Sequence, residues 1–183
     1  MNLLERLPRA RRGQGANSVV MVLTHPCPES YTAAVAERIM NTLIAQGVHP
    51  KVIDLYDYEY DPHLPFPADH LDIVAEAEML VIVHPTWWGS QPAILTGWLA
   101  SVSQTGLPAT RQIVCVTTLG GPRLGNRLAG EAGIGVIRRA LRAKCVSRPA
   151  YLRFALYGND GASDQMRRDF LDRLEHKFQR LVR

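Results

Sequence analysis

The chain has 183 residues, 46% of them apolar, enough for one domain with a full core. No window approaches the roughly 18–20 apolar residues of a membrane-spanning helix. Three irregularly spaced cysteines, Cys27, Cys115 and Cys145, argue against a disulfide framework or a cysteine-built zinc site and fit a reducing cytoplasm. The net charge of +4 is uneven: residues 1–110 hold 6 Lys/Arg against 11 Asp/Glu, and residues 111–183 hold 15 against 6. No aromatics interleave with those arginines and no DNA- or RNA-binding motif is visible, so the basic half reads as solvated helix faces and no nucleic-acid partner is expected.

The opening stretch, MNLLERLPRARRGQGAN, carries Arg6, Arg9, Arg11 and Arg12. It lacks the apolar run of a secretory signal, although its basic, acid-poor composition also suits an organelle transit peptide. Pro8 limits any helix in it. Residues 1–17 are expected to form a flexible basic tail, with one domain filling 18–183.

From residue 18 the chain alternates. SVVMVLT (18–24) is a continuous β-branched run. A helix follows over 31–46, with Val35, Ile39, Leu43 and Ile44 on one stripe. KVIDL (51–55) is a shorter strand, 69–78 a weaker helix, and MLVIVH (79–84) a third strand that Pro85 should end. Pro92 then opens a helix over 92–103, placing Ile94, Leu95, Trp98, Leu99 and Val102 together. QIVCVTT (112–118), a helix over 134–144, AYLRFALY (150–157) and a helix over 164–182 complete the series. Continuous apolar strands are buried on both faces, as in parallel sheets. Five strands alternating with about five helices predict an α/β three-layer sandwich with a five-stranded parallel sheet, in the flavodoxin-like order 2-1-3-4-5.

Ligands in such sheets bind beyond the carboxyl ends of the strands, and three unusual loops lie there. In THPCPESYT, Ser30 is a good N-cap, and the free N–H groups at Tyr31 and Thr32 suit a phosphate, with the Ser30 and Thr32 hydroxyls and His25 as further donors. In HPTWWGSQP, Pro85 and Pro92 bracket Thr86, Trp87, Trp88 and Gly89. Two indoles at such a rim can pack against a flat aromatic ligand, where their ordinary alternative is to fill the core or a subunit interface. In TTLGG, Gly120 and Gly121 let the backbone approach a ligand, and Thr118 can bond a polar ring edge. There is no G-x-G-x-x-G and no G-x-x-x-x-G-K-[ST], so neither a dinucleotide fingerprint nor a P-loop is present. A phosphate seat beside a slot for a flat ring matches the anatomy of flavin mononucleotide (FMN), with FAD as the larger alternative.

HPTWWGSQPAILTGWL, together with HPCPESYTAAV and VTTLGG, resembles the flavodoxin-like NAD(P)H:quinone oxidoreductases, over about residues 18–180. The resemblance implies that His25, Ser30, Tyr31 and Thr32 hold the flavin phosphate and ribityl region. It implies that Pro85, Thr86, Trp87, Trp88 and Gly89 line the isoalloxazine, and that Thr118, Leu119, Gly120 and Gly121 bracket its other edge. It further implies a homodimer with active sites at the subunit boundary, NAD(P)H as co-substrate and a quinone-like small-molecule acceptor. The flavin would carry the chemistry, with no catalytic side chain and no metal. Two features depart from the family. Only QTGLPATRQ joins the third helix to the fourth strand, and Arg123 and Arg127 stand where some members place Tyr and His. A non-catalytic ancillary subunit binding a partner protein is therefore the alternative function.

Overall fold

The computed structural model describes residues 18–57, 66–128, 132–146 and 148–182; the expected basic tail lies outside them. Five strands, β1 (Val19–Leu23), β2 (Lys51–Asp54), β3 (Met79–Thr86), β4 (Gln112–Leu119) and β5 (Ala150–Tyr157), form one parallel sheet in the order β2-β1-β3-β4-β5. The helices are α1 (Tyr31–Ala45), α2 (Ala68–Ala75), α3 (Ala93–Thr105), α4 (Arg123–Leu128), α5 (Ala132–Arg142) and α6 (Asp164–Leu181), with a short 3-10 turn at Asn159–Gly161.

Alternation along each strand divides the core in two. Val20, Val22, Leu80, Ile82, Ile113 and Cys115 face one side and pack with Trp98, Leu95 and Val102 of α3 and Ile137 and Leu141 of α5. Val19, Met21, Leu23, Val81, Val83, Val114 and Val116 face the other and meet Val35, Ile39 and Leu43 of α1 and Phe170, Leu174 and Phe178 of α6. Both faces of the central strands are therefore covered, which is why their sequences read as unbroken apolar runs.

The element ends differ from expectation where tertiary contacts intervene. β3 does not stop at His84 but continues through Pro85 to Thr86. A proline inside a central strand should cost a ladder bond. It falls where the β1–β3 ladder stops: the last bond is Thr24 N–H to Val83 O at 3.0 Å, as β1 gives out. Pro85, two residues further, turns its nitrogen toward the same, now vacated, edge, while it stays registered with Thr118 of β4 on the other side. Pro92 is the N-cap of α3 rather than its first helical residue, with ψ at 144°. α2 ends early because Glu78 and Met79 give their N–H groups to Ser18 O (2.9 and 3.1 Å), which draws the chain into the sheet. α4 was not expected, and it begins just after Pro122.

Trp98 is wholly buried between α3 and the sheet, and its Nε1 has no hydrogen-bond partner. Trp98→Ala should therefore destabilise the protein by about 3–5 kcal/mol through the cavity it leaves. Trp98→Phe, which also removes the unsatisfied donor, should cost about half of that or less. Denaturant unfolding of the two variants beside the wild type checks the order.

Candidate functional site

At the carboxyl ends of β1, β3, β4 and β5 lies a cleft of about 610 Å³, within the size range of small-molecule sites. Twelve of the thirteen residues expected to hold a ligand line it: His25, Ser30, Tyr31, Thr32, Pro85, Thr86, Trp87, Trp88, Gly89, Thr118, Gly120 and Gly121. The thirteenth, Leu119, is buried and does not reach the cleft.

The first wall is the start of α1. Ser30 is its N-cap, and Ser30 Oγ accepts the Ala33 N–H at 3.1 Å. That leaves the hydroxyl proton of Ser30 free to be donated. The first backbone bond of the helix runs from Ala34 N–H to Ser30 O, so the Tyr31 and Thr32 amides precede the ladder and point out of it. The Tyr31 hydroxyl donates to Arg167 O of α6 at 2.7 Å, which leaves the backbone amide as the donor that Tyr31 offers here. Burial pushes this phenol up to about 12, against the pull of Arg167. His25 Nδ1 lies within hydrogen-bonding distance of both the Cys27 N–H (3.0 Å) and the Cys27 O (3.1 Å), which fixes the ring against the first loop. Burial holds the His25 imidazole below its ordinary pKa, so at neutral pH it contributes a hydrogen bond and no charge.

The second wall is a two-residue turn. Trp87 and Ser90 exchange backbone hydrogen bonds at 2.9 Å in each direction. Between them Trp88 has φ 52° and Gly89 φ 76°, the pair of left-handed residues that defines a type I′ turn. Trp88 is the one non-glycine residue with positive φ among the described residues. Trp87 lies edge-on to His25 with centroids 5.7 Å apart, closing the first loop onto the second. The indoles thus have different fates: Trp87 is half-exposed at the wall, and Trp88 stands fully exposed at the tip. Behind the turn, Thr86 Oγ1 and Thr117 Oγ1 share a buried hydrogen bond of 2.7 Å.

The third wall ends β4. Thr118 Oγ1 lies 2.9 Å from Thr32 Oγ1, both buried. The two hydroxyls, expected to act separately on phosphate and ring, are bonded to each other between α1 and β4. In such a pair the accepting hydroxyl keeps its own proton to donate. Two lining residues were missed from sequence, Asn159 and Asp160. They follow β5, whose carboxyl end lies on the same edge as the others. The cue was GND directly after a strand, with Gly158 at φ 70°. Arg123 does not line the cleft; its guanidinium sits 5.9 Å over the Tyr157 ring.

Under the second wall, His84 Nδ1 lies 2.8 Å from Pro85 O and Nε2 lies 3.4 Å from Cys115 Sγ. A carbonyl can only accept, so Nδ1 carries the proton and Nε2 faces the thiol. Burial pushes His84 down to about 4 and Cys115 up to about 11, so both are neutral at pH 7. No cluster of metal-ligating side chains occurs among the described residues.

The donors at the α1 start, the Trp87 wall and the glycine-lined third loop fit a flat cofactor with one phosphate. Residues 17–142 match the sequence profile of a family described by its flavodoxin-like fold, and the chain belongs to that family. It is 29% identical over 102 residues to an uncharacterized NAD(P)H oxidoreductase of Haemophilus influenzae, and 28% identical over 106 residues to the uncharacterized NAD(P)H oxidoreductase YcaK of Escherichia coli. The alignments cover 48% and 49% of this chain and 50% and 54% of those proteins, so the chain spans about half the length of the curated relatives it matches. Its fold superimposes on an NAD(P)H:quinone oxidoreductase from Methanothermobacter marburgensis with a TM-score of 0.76, at 20% identity over 92% of this chain and 98% of that one. An FMN-dependent NADH-azoreductase from Bacillus anthracis, solved with FMN, superimposes with a TM-score of 0.70 at 12% identity, over 91% and 100%.

Two predictions follow from this geometry. A left-handed backbone at a non-glycine residue costs about 1–2 kcal/mol, so Trp88→Gly should stabilise the fold by about 1 kcal/mol in urea unfolding. An unchanged or lowered stability would mean that the indole makes compensating contacts. His84 works in the opposite sense to a stabilising charge. The unfolded chain takes up its proton below about pH 6.5, whereas the folded chain resists until about pH 4. Its contribution is therefore whole above pH 6.5 and lost as the pH falls through that window, about 2 kcal/mol between pH 7 and pH 5. His84→Asn, which keeps a donor for Pro85 O but does not titrate, should shrink the difference in unfolding free energy between those two pH values.

Proposed function

We propose that the cleft binds FMN and that the protein is an NAD(P)H oxidoreductase acting on a quinone-like acceptor. The observation that supports this most directly is the convergence of the Tyr31 and Thr32 amides, the Thr32–Thr118 hydroxyl pair and the Gly120–Gly121 backbone in one cleft. The oxidoreductase names of its relatives and the FMN in the azoreductase structure agree with it.

In this reading the α1 start takes the phosphate, because unpaired amides and the helix dipole favour an anion there. The Ser30 hydroxyl adds a neutral donor, and His25 a neutral imidazole. Thr86 and Gly89 offer backbone to the polar edge of the ring, and Trp87 keeps water from one side of it. His84 stays neutral and fixes the direction of the Pro85 carbonyl, so the second wall presents a constant pattern of donors and acceptors. When bound, FMN supplies the hydride chemistry, with the balance NAD(P)H + H⁺ + quinone giving NAD(P)⁺ and hydroquinone. No side chain need transfer a proton to the ring for that balance.

Trp88, held fully exposed by a backbone conformation that favours glycine, suits contact with a second copy of the chain across the mouth of the cleft, and a homodimer belongs to the proposal. A cytoplasmic location agrees with the three free cysteines.

Titration of the protein with FMN should show saturable quenching of flavin fluorescence at one flavin per chain, with FAD compared in parallel. Anaerobic addition of NADH or NADPH should then bleach the flavin, and a quinone should restore its colour. Firm FMN binding with no bleaching by either donor would favour a non-catalytic ancillary role. No binding at micromolar flavin would remove the proposal.

A further inference from the structure

Among the described residues lining the cleft there is one acidic side chain and no Lys or Arg. Asp160 lies on the 3-10 turn after β5, opposite the third loop. Its carboxylate rests on Gly120: a Cβ built at that glycine would fall 2.8 Å from Asp160 Cγ and overlap a carboxylate oxygen. The glycine therefore serves a close approach by the chain's own carboxylate, whatever ligand it also admits. The turn is fixed from three directions. Gly158 N–H donates to Gly121 O at 2.9 Å, Gly161 N–H to Gly158 O at 3.1 Å, and Arg167 Nη2 to Asn159 O at 3.0 Å. Among the described residues, nothing donates to the carboxylate and no cation pairs with it. The nearby arginines are directed elsewhere: Arg123 and Arg153 over the Tyr157 ring, and Arg167 over Tyr31. A fixed, unpaired carboxylate on the wall of a cleft with no Lys or Arg in its described lining gives that cleft a negative patch beside Gly120.

We propose that Asp160 is a specificity-determining residue that selects acceptors by charge, favouring neutral or cationic quinone-like compounds over those that carry an anionic group on the ring. This rests on reading the cleft as a flavin oxidoreductase site. An acceptor entering a cleft of this size comes within one Debye length, about 8–10 Å, of the carboxylate. Asp160 is exposed on its outer side, so solvent screens the repulsion to a modest effect of about 3–10-fold.

The test uses the full chain loaded with FMN, as wild type and as Asp160→Asn, with 1,4-naphthoquinone and its 2-sulfonate as acceptors. The quantity read is the ratio of kcat/KM for the sulfonate to that for the neutral quinone. Asp160→Asn should raise this ratio about 3–10-fold at low salt, and the gain should shrink at about 0.5 M salt. Asp160→Glu, which keeps the charge, should stay near the wild type. Gly120→Ala, which displaces the carboxylate, should shift the ratio in the same direction as Asp160→Asn. Quenching of tryptophan fluorescence by each quinone, with the flavin oxidised and no electron donor present, should show the same selectivity as a ratio of dissociation constants. An unchanged ratio in Asp160→Asn, or a change that salt does not reduce, overturns the inference while leaving the oxidoreductase reading intact. A flavin that binds but is not reduced by NADH or NADPH, or does not bind at all, overturns both.

Discussion

β1 stops pairing with β3 at Leu23–Val83, while β3 and β4 stay paired for three further residues, to Thr86–Leu119. The cleft occupies the step this leaves. The α1 start stands on the low side of the step and the two longer strands on the high side. The Thr32–Thr118 hydroxyl pair spans the gap between them. Pro85 lies in β3 where β1 has already ended beside it and only β4 remains paired. Replacing one buried hydroxyl of that pair by an apolar group would leave the other unsatisfied, a cost of about 1–3 kcal/mol. The loss would also uncouple the start of α1 from the end of β4, so stability and cleft geometry share this contact.

The turn at Trp87–Ser90 shows the opposite balance. A glycine would fit the backbone at position 88 better than any other residue, yet a tryptophan stands there with its ring in solvent. Strain of this kind persists where the surroundings over-determine it. Here the reciprocal Trp87–Ser90 bonds impose the hairpin, and Gln91 Nε2 bonding Thr96 Oγ1 at 3.1 Å ties the return to α3. An exposed indole on a rigid turn loses little side-chain freedom on contact with another surface, so its placement favours association.

Charge within the cleft is arranged by burial as much as by residue type. Among the described residues, no Lys or Arg of the C-terminal half lines it: Arg123 and Arg153 lie over Tyr157, and Arg167 over Tyr31. The two histidines near the site are both held toward neutrality by desolvation. What remains is a set of neutral donors and the Asp160 carboxylate beside Gly120.

The strand order, the two-sided burial of the sheet and twelve of the lining residues were legible in the sequence. Unbroken β-branched runs, helical stripes such as Ile94–Leu95–Trp98 and an N-cap serine are local signals, set by backbone propensity and side-chain periodicity. What the sequence could not show was where those side chains point once strands of unequal length lie side by side. Leu119 reads as a loop residue but is drawn into the core because β4 runs one residue further than its apolar run suggests. Tyr31 reads as a first-turn residue with a free amide, and nothing local shows that its hydroxyl bonds Arg167 of α6, 136 residues away in sequence. Asp160 reads as an ordinary turn residue, and only the packing of the β5 turn against Gly120 places its carboxylate in the cleft. Periodicity and capping act over a few residues and can be read from order alone. Contacts between segments far apart in the chain depend on register and layer packing, and these are decided only when the sheet forms.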